Sequence, residues 1–451
     1  MTRPLDSAGR ARALTAFAGA ATLGVTCALW FDRGGLGDLA GQPYLSTGRL
    51  TGLLAANLLL LQVFTMARVP WLERAWGQDR LARWHRLTGF ASVWLMLAHL
   101  ALITVGYGAT SDAGVARRFV ELVLTYPGML LAAAGAGLLL AVVVLSVRAA
   151  RRRLRYENWH LLHLYAYLGI GLALPHQLWN GTEFATGAPA RAYWWTLYLA
   201  AAACVLLFRL ALPWWRSRRH RLRVDRVRHE ASDVYSVYLT GRDLDRLAAR
   251  PGQFLLWRLR TGRGWTRAHP FSLSEAPRPD RLRFTFRSGG DDGARLAAAA
   301  PGTAVLVEGP FGMLTEARGR GGAVLLMAAG IGITPMRALL EGMAVGGELT
   351  LIYRARTERE LVLRAELDEI AARRGARVIY LPGSPPPGRV SCLTAELAAR
   401  ADHEVLADLV PGLAERDVFL CGPPPWMDAA RAALRAAGVP ARRVHSERFG
   451  W

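Results

Sequence analysis

The chain has 451 residues, enough for two or three domains, and 52% of them are hydrophobic. The apolar residues concentrate in the first half, whereas the second half has the composition of a soluble α/β protein. The formal net charge of +21 comes from 56 basic residues, all of them arginine, and much of it lies in short connections beside apolar segments. This distribution is typical of the cytoplasmic loops of membrane proteins and argues against nucleic-acid binding.

The N-terminal segment MTRPLDSAGRAR leads into an apolar stretch without a good cleavage site. We therefore interpret that stretch as a retained membrane helix and not as a signal peptide. The four cysteines form neither a CxxC nor a CxxCH pattern. The sequence consequently predicts no disulfide framework, no zinc site and no covalently attached haem, so that a haem would be of the b type.

Six segments have a length near the roughly 20 residues that a membrane-spanning helix needs. They cover approximately 13–31, 48–67, 84–106, 122–147, 158–178 and 192–212. Arginines are frequent at the N-terminus, in the second and fourth connections and after the sixth segment, and they are scarcer in the other connections. Because positively charged connections stay in the cytoplasm, we expect a six-helix membrane bundle with both termini cytoplasmic.

Two of these segments carry two histidines each: His85 and His99 in the third, and His163 and His176 in the fifth. A histidine in hydrocarbon is costly and usually has a function or a buried partner. The third and fifth segments run in the same direction, so His85 and His163 are expected near the cytoplasmic side and His99 and His176 near the outer side. This arrangement predicts two stacked bis-histidine haems, each with one axial ligand from each helix.

The spacing within each pair tests this arrangement. His85 and His99 are 14 residues apart, which is about 21 Å along a helix and about 40° short of four full turns, so both can face one direction. His163 and His176 are 13 residues apart, about 19 Å, and an ideal helix would turn them about 140° away from each other. Pro175 directly precedes His176, and we expect a kink or unwinding there that turns His176 inward.

His160 is an alternative to His163 as the inner ligand, because it lies one turn earlier in YENWHLLHLYAYLG. Its 16-residue distance from His176 is no better aligned. We prefer His163 because it lies deeper in the apolar stretch. A single histidine of this kind is more often a hydrogen-bonded core residue, and only four of them at matched depths favour haem ligation.

After a basic linker, Arg216–Arg223, the second half begins with short β-patterned runs: RLRVDRV, VYSVYLT, QFLLWRL, RLRFTF and AVLVEG. They predict a small antiparallel β-barrel over about 220–315. From about 318 onward strands alternate with helices, which predicts a doubly wound α/β nucleotide-binding domain. The predicted domains are 1–215, 216–316 and 317–451.

The sequence GIGITP lies between a buried strand and a helix, and its glycines would let a pyrophosphate approach the helix N-terminus. A proline suits the first helical turn. A second strand–turn–helix unit downstream contains a Cys-Gly-Pro turn, which makes the prediction more specific than a bare glycine turn. The residues that we assign to the nucleotide are Gly330, Gly332, Thr334, Pro335, Cys421, Gly422 and Pro423.

These motifs carry a resemblance that covers nearly the whole chain. HPFSLS (269–274) is similar to the FAD-binding motif of the ferredoxin–NADP reductase family, in the histidine form found in NADPH oxidases and ferric reductases. GIGITP and the Cys-Gly-Pro turn are similar to the nicotinamide-nucleotide motifs of that family. The first half resembles the ferric-reductase-like six-helix domain, whose third and fifth helices hold two b haems with these histidine spacings. The whole architecture resembles the bacterial NADPH oxidase and ferric reductase family.

The resemblance implies roles for individual residues. Cys421 would lie near the nicotinamide, and an aromatic residue near the C-terminus, Phe449 in preference to Trp451, would cover the flavin ring. Arg354 and Arg356, just after a strand, would clamp the 2′-phosphate of NADPH, which we favour over NADH. The residues expected around the FAD are His269, Pro270, Phe271, Ser272, Ser274, Gly309 and Gly312.

The implied route takes electrons from cytosolic NADPH through FAD, the inner haem and the outer haem to an acceptor outside. We expect O₂ as the acceptor, with superoxide as the product, and a ferric chelate as the alternative. Arg49 would assist oxygen reduction or pair with a haem propionate. The oxidases have a second histidine one turn beyond the outer ligand, where this chain has Ile103. A quinone-linked haem subunit, or a transporter with a regulatory nucleotide domain, is the remaining alternative.

Overall fold

The computed structural model of the chain describes residues 4–109, 114–147, 156–181, 187–262 and 265–447. They form two compact units: Asp6–Leu210 make up the first, and all residues from Ala211 onward belong to the second. The predicted division between a flavin domain and a nucleotide domain at 316/317 stays a prediction.

The first unit is helical. Its helices are α1 (Pro4–Asp32), α2 (Gly35–Gly41), α3 (Pro43–Met66), α4 (Pro70–Trp76), α5 (Gln78–Gly108), α6 (Val115–Thr125), α7 (Met129–Ser146), α8 (Tyr156–Asn180) and α9 (Ala188–Cys204). The chain continues from α9 through a π-helical stretch (Val205–Ala211) into α10 (Leu212–His220). Among the described residues, five helices are long and apolar enough to cross a membrane: Gly9–Asp32, Pro43–Met66, Gln78–Gly108, Met129–Ser146 and Ala188–His220.

The structure differs from the predicted spans in three places. Helix α8 is long enough at 25 residues but is not among the five apolar helices, because its histidines and other polar residues lower its mean hydropathy. The fourth predicted segment is divided into α6 and α7 by a turn at Pro127 and Gly128. The segment Arg216–Arg223, expected as a linker, is helical as far as His220.

Helices of the first unit pack closely through glycines, α3 against α5 and α7 against α8. A Cβ atom at Gly52 would lie 2.5 Å from Nδ1 of His99, and one at Gly135 would lie 2.6 Å from the carbonyl oxygen of Gly169. Apolar burial drives little association between helices in lipid, so such close backbone approach is a main source of packing energy there. Gly52 thus sets the distance at which His99 meets α3.

A buried polar cluster joins α1, α3 and α9. The Asn57 amide nitrogen donates to Oγ1 of Thr26 at 2.8 Å and to the hydroxyl oxygen of Tyr193 at 2.7 Å. The amide oxygen of Asn57 accepts from Oγ1 of Thr22 at 3.2 Å. Because a buried amide must find its partners within the protein, this cluster favours a single register of the three helices.

The second unit begins with two three-stranded antiparallel sheets, in the orders β1-β2-β5 and β4-β3-β6. The strands are β1 (Arg223–Ala231), β2 (Val234–Thr240), β3 (Phe254–Leu259), β4 (His269–Ser272), β5 (Arg281–Arg287) and β6 (Val305–Phe311), and α11 (Gly290–Ala297) precedes β6. Isolated bridges at Arg223–Ala304 and Leu273–Phe284 link the two sheets. The stacked rings of Trp257 and Phe284 lie in their common apolar core.

A five-stranded parallel sheet follows, in the order β11-β10-β7-β8-β9. Its strands are β7 (Val324–Ala329), β8 (Leu349–Ala355), β9 (Arg377–Pro382), β10 (Asp417–Cys421) and β11 (Val444–Ser446). The helices are α12 (Ile333–Gly342), α13 (Arg364–Arg374), α14 (Asp402–Leu409) and α15 (Pro424–Ala436). The strand order reverses between β7 and β10, and open α/β sheets bind ligands at the carboxyl ends of the strands at such a switch point.

Arg283 on β5 connects the antiparallel sheets to the parallel-sheet region. Its guanidinium is 1% exposed and donates to both carboxylate oxygens of Glu366 on α13, at 2.9 Å each. Nε of Arg337 on α12 donates to the same carboxylate at 2.9 Å. Two arginines therefore share one carboxylate, and this ion pair holds the sheets in register with α12 and α13.

The substitution Glu366→Gln is expected to lower the melting temperature of the second unit by about 6–12 °C, because it costs on the order of 3 kcal/mol. The reason is that Arg283 stays buried while its countercharge is lost. Differential scanning calorimetry of the full chain measures this shift. Glu369→Gln on the same helix is the matched control, since that carboxylate is exposed; equal melting temperatures for the two variants would contradict the role of Arg283.

Candidate functional site

His85 on α5 and His163 on α8 lie side by side. Their ring centroids are 5.7 Å apart, and the ring planes are inclined by 63°. Two imidazoles that share one metal ion, at about 2 Å from each nitrogen, have centroids roughly 6 Å apart. Within the described residues, no three His, Cys, Asp or Glu side chains converge as an ordinary metal-ion site. A haem requires only two axial ligands from the protein, and this pair fits that requirement.

Neighbouring helices orient three of the four histidines through Nδ1. Nδ1 of His99 donates to the carbonyl oxygen of Gly48 at 2.7 Å, and Nδ1 of His85 donates to that of Gln62 at 3.3 Å. A carbonyl oxygen can only accept, so Nδ1 carries the proton in both rings and Nε2 is left with its lone pair. Metal-ligating histidines commonly have this second hydrogen bond.

His163 has an equivalent contact with α7. Its Nδ1 lies 3.3 Å from Oγ of Ser146. The Ser146 hydroxyl donates its own proton to the carbonyl oxygen of Val142 at 2.7 Å, so its oxygen accepts from His163. The indole nitrogen of Trp159 donates to the same oxygen at 3.3 Å, and its ring packs on His163 with centroids 5.2 Å apart. The side chain of His160, the alternative ligand, lies outside the described residues.

His176 is placed differently from the other three histidines. Helix α8 continues through Pro175 to Asn180, so the chain does not unwind there, and the predicted kink stays a prediction. Pro175 has no backbone N–H to donate within the helix, and the loss of this one hydrogen bond is tolerated because neighbouring membrane helices support the backbone there. The ring of His176 is close enough to the backbone of Ala173 for a hydrogen bond and to His99 for an electrostatic interaction.

Arg49, the predicted basic partner of the acceptor or of a haem propionate, lies in the first turns of α3. Its guanidinium pairs with the carboxylate of Asp38 at 2.7 Å. Both side chains are partly exposed, so the pair is weakly stabilising. No measured distance connects Arg49 to the histidines, and its predicted role stays a prediction.

In the second unit, the predicted flavin motif forms β4. The rings of His269 and Phe271 stack with centroids 5.9 Å apart, inclined by 7°, and the indole nitrogen of Trp257 donates to the carbonyl oxygen of Phe271 at 3.0 Å. Pro270 lies between the two rings in sequence and pairs with Leu256 of β3. The strand is thereby fixed with two aromatic rings on one side.

Two serines of this motif have different surroundings. Within the described residues, Oγ of Ser272 is buried without a hydrogen-bond partner, as expected of a group that a cofactor would satisfy. Ser274 is fully buried, and its hydroxyl oxygen accepts from Nε of Arg283 at 3.1 Å and from Oγ1 of Thr285 at 2.7 Å. The structure therefore places Ser274 in an interior hydrogen-bonding network, and its predicted contact with FAD stays a prediction.

The glycine turn at the end of β6 lies close to Glu447. Gly309 has a φ of +118° and Gly312 one of +95°, which side chains rarely adopt. A Cβ atom at Gly312 would lie 2.8 Å from a carboxylate oxygen of Glu447. Helix α10 fixes the same turn, because the Arg216 guanidinium donates to the carbonyl oxygen of Gly309.

The two nucleotide turns meet at the carboxyl ends of β7 and β10. Gly330–Gly332 form a 3₁₀ turn, and α12 begins at Ile333, so Thr334 and Pro335 lie in its first turn. A Cβ atom at Gly332 would overlap the carbonyl group of Cys421, at 2.6 Å from its carbon, and would lie 2.9 Å from the nitrogen of Gly422. The sequence predicts both turns, and the structure brings them into backbone contact.

Cys421 ends β10 and is fully buried. Burial, followed by the negative charge of Glu447, raises the pKa of its thiol well above the usual value. The thiol is therefore neutral at physiological pH, which suits a packing surface and not a nucleophile. Pro423 follows in the turn that starts α15. Phe449 and Trp451, the predicted flavin-covering residues, lie outside the described residues.

The two arginines predicted at the 2′-phosphate differ in exposure. Arg354 is 6% exposed, and its Nη1 donates to the carbonyl oxygens of Ala355 and Leu381. Burial and the nearby Arg356 lower the pKa of its guanidinium. Arg356 is exposed at the end of β8. Of the two, Arg356 is the one whose guanidinium can reach a phosphate in solvent.

If Arg356 contacts the 2′-phosphate, Arg356→Ala is expected to raise the KM for NADPH about 10-fold to 100-fold, the effect of losing one charged hydrogen bond, and to leave the KM for NADH unchanged. Steady-state reduction of ferricyanide with each nucleotide measures this. The neighbouring Arg359→Ala is the control, since Arg359 is equally exposed. An equal effect on both nucleotides would exclude 2′-phosphate recognition by Arg356.

Comparison with protein families matches residues 51–174 to the ferric reductase like transmembrane component and residues 326–432 to the oxidoreductase NAD-binding domain. The ferredoxin reductase component of 3-ketosteroid-9-alpha-monooxygenase from Mycolicibacterium smegmatis is 34% identical over 245 residues, 51% of this chain and 65% of that protein. The flavohemoprotein of Chromobacterium violaceum is 29% identical over 251 residues, 51% of this chain and 60% of that protein. The chain thus spans less than two-thirds of the length of these relatives.

Among solved structures, the FAD/NAD-binding domain of nitric oxide dioxygenase from Vibrio cholerae covers 52% of this chain and 100% of its own, with 24% identity and a TM-score of 0.41. The family matches and the apolar helices indicate a membrane protein with an oxidoreductase NAD-binding domain. The chain joins a ferric-reductase-like transmembrane component to an FAD/NAD(P)-binding module of the ferredoxin–NADP reductase type.

Several residues of the site escaped the sequence reasoning. The carbonyl groups of Gly48 and Gln62 carry no signal in the sequence, because every residue has a carbonyl. The small residues Gly48 and Gly52, one turn apart, were a usable signal of close helix approach. Ser146 was another, since a serine at the end of an apolar helix commonly has a hydrogen-bonding role.

Proposed function

We propose that this protein transfers electrons across the bacterial inner membrane from cytosolic NADPH to an acceptor on the other side. The route that we propose comprises FAD in the second unit, an inner haem between His85 and His163, and an outer haem between His99 and His176. NADH is the alternative donor. When bound, a flavin converts the two-electron donation of a nicotinamide into single-electron steps, and b haems carry single electrons.

One observation carries the proposal: the ring contact of His85 with His163, with Nδ1 of each ring engaged by a neighbouring helix. A histidine that merely fills the interior has no need of a second imidazole beside it. Here two helices place imidazoles opposite each other, and α3 and α7 hold the rings from behind. The same anchoring of His99 by Gly48 supports a second site 14 residues away on α5.

The arginine distribution supports the proposed orientation. The N-terminus, the second and fourth connections and the end of α10 are rich in arginine, which favours a cytoplasmic location for them and for the second unit. Trp214 and Trp215 on α10 are exposed, and Arg218 and Arg219 pack over their rings at 4.3 and 5.3 Å from the centroids. Such tryptophan–arginine pairs suit the interface between lipid and water.

The residues of the second unit would bind and orient the redox partners without acid–base catalysis. The buried hydroxyl of Ser272 and the positive-φ turn at Gly309 and Gly312 support close approach of a flavin. The Gly330–Gly332 turn at the start of α12 offers backbone N–H groups to a pyrophosphate. The neutral thiol of Cys421 would pack near the nicotinamide.

The acceptor that we propose is O₂, reduced to superoxide. A ferric chelate is the second candidate, and Ile103 favours it, because this residue stands where the oxidases have a second histidine. Ile103 packs on α3, where a Cβ at Gly48 would lie 2.9 Å from its Cδ1. This apolar contact leaves Arg49 as the candidate polar group for activating oxygen.

Purified full-length protein in sealed proteoliposomes tests the proposal. With NADPH outside, on the exposed cytoplasmic face, we expect reduction of cytochrome c enclosed in the lumen, sensitive to superoxide dismutase enclosed with it. Dismutase-insensitive reduction together with fast reduction of an enclosed ferric chelate would establish the ferric reductase instead. Failure to reduce any enclosed acceptor, while external ferricyanide is reduced, would contradict transmembrane electron transfer.

A further inference from the structure

Helix α3 contacts both histidines of α5 through backbone carbonyl groups with matched spacing. Gly48 accepts from His99 and Gln62 accepts from His85. The two carbonyls are 14 residues apart, as are the two histidines, and the pairing is antiparallel. One helix therefore supplies the same type of acceptor at both levels.

Each of these carbonyls also accepts from a threonine three residues later. Oγ1 of Thr51 donates to the carbonyl oxygen of Gly48 at 2.9 Å, and Oγ1 of Thr65 donates to that of Gln62 at 2.7 Å. The Thr51 hydroxyl is shared with the carbonyl oxygen of Thr47 at 3.1 Å. The motif of carbonyl, threonine and histidine therefore occurs twice, with the same relative positions.

The threonine hydroxyl and the imidazole compete for the lone pairs of one oxygen. Removing the hydroxyl leaves the carbonyl a better acceptor for Nδ1–H of the histidine. A stronger hydrogen bond there makes the imidazole a more basic ligand, which stabilises ferric over ferrous iron and lowers the reduction potential. The threonine hydroxyl thus makes the histidine a weaker electron donor to the iron.

We propose that Thr51 and Thr65 are positioning residues that tune the reduction potentials of the outer and inner haem separately, through the carbonyls of Gly48 and Gln62. The proposal rests on the proposed function, since it requires haems at His99 and His85. The shorter contact of His99, 2.7 Å against 3.3 Å for His85, makes His99 the more basic ligand of the two.

Redox titration of the purified full chain with spectroscopic detection tests this. In Thr51→Val the ratio of oxidised to reduced outer haem at a fixed potential is expected to rise about threefold. This corresponds to a fall of about 30 mV in the reduction potential of that haem for one electron. The inner haem stays unchanged. In Thr65→Val the potential of the inner haem is expected to fall, and that of the outer haem stays unchanged. His99→Ala and His85→Ala assign each potential to its haem, and low-spin electron paramagnetic resonance signals follow the altered ligand.

Thr51→Ser is the matched control, because it keeps the hydroxyl and restores the wild-type potential. Two bound haems with unchanged potentials in both valine variants would overturn the proposal and leave the proposed function standing. An equal shift of both haems in Thr51→Val would also overturn it. Loss of the outer haem in Thr51→Val but not in Thr51→Ser would support a role of the Thr51 hydroxyl in positioning His99. Loss of the outer haem in both variants would contradict that role. A wild-type protein without haem would overturn both proposals.

Discussion

Replacing His99 with alanine is expected to remove the proposed outer haem and to abolish electron delivery to the proposed external acceptor. Iron at that level would retain one protein ligand at most, and the imidazole anchored by Gly48 would be gone. Haem content per protein, measured by the pyridine haemochrome method, is expected to fall to about half. Reduction of ferricyanide by NADPH is expected to stay at the wild-type rate, because the second unit is a compact unit of its own.

The matched control for this substitution is His229→Ala. His229 is exposed on β1, and its Nε2 hydrogen-bonds the carbonyl oxygen of Ser232. Haem content and transmembrane activity should both be unaffected in that variant. Full haem content in His99→Ala would show that the outer haem is held by another residue. Simultaneous loss of both haems would indicate that His99 supports the fold of the helices and not one haem alone.

Gly332→Ala is expected to disable nicotinamide binding. The new methyl group would collide with the backbone of Cys421 and Gly422, which cannot move aside as the end of a flexible side chain would. The two turns would have to separate by several tenths of an ångström, which costs on the order of 1–3 kcal/mol. Because these turns form the predicted pyrophosphate site, the KM for NADPH should rise by at least about tenfold.

Gly375 provides the contrast to this steric effect. It follows α13, its φ is +61°, and a Cβ there would meet nothing within 4 Å. Gly375→Asn is expected to be tolerated, since asparagine adopts this left-handed conformation more readily than other residues. Ferricyanide reduction across a range of NADPH concentrations compares the two variants. Equal KM values in Gly332→Ala and wild type would show that the contact of the two turns is irrelevant to binding.

The histidine spacings illustrate what the sequence predicts well. His85 and His99 obey helical periodicity, and α5 presents both to α3 as an unbroken helix. For His163 and His176 the ideal rotation predicted distortion at Pro175, yet α8 continues through the proline. A proline can kink a helix without unwinding it, so the kink that the histidine spacing predicts at Pro175 stays a prediction.

Other features of the site depend on contacts that no local pattern specifies. The glycine turn GIGITP and the turn at Cys421 were both predicted, but their backbone contact comes from the adjacency of β7 and β10. Arg354 appears equivalent to Arg356 in sequence, but Arg354 lies within the buried strand β8 and donates to backbone carbonyls, whereas Arg356 follows the strand and is exposed. The arginine-rich end of α10 was expected as a linker because a run of charged residues carries no apolar periodicity. It is helical as far as His220, and Oγ of Ser217 accepts from the backbone nitrogen of Val307 on β6.

The most direct test of the central claim is an anaerobic reduced-minus-oxidised absorption spectrum of the purified full chain, recorded after addition of NADPH with haem stoichiometry determined on the same sample. We predict b-type haem bands that correspond to two haems per chain and that appear with NADPH as the sole reductant. A protein that binds flavin and oxidises NADPH, but has no b-type bands with either NADPH or dithionite, would contradict electron transfer through His85, His99, His163 and His176.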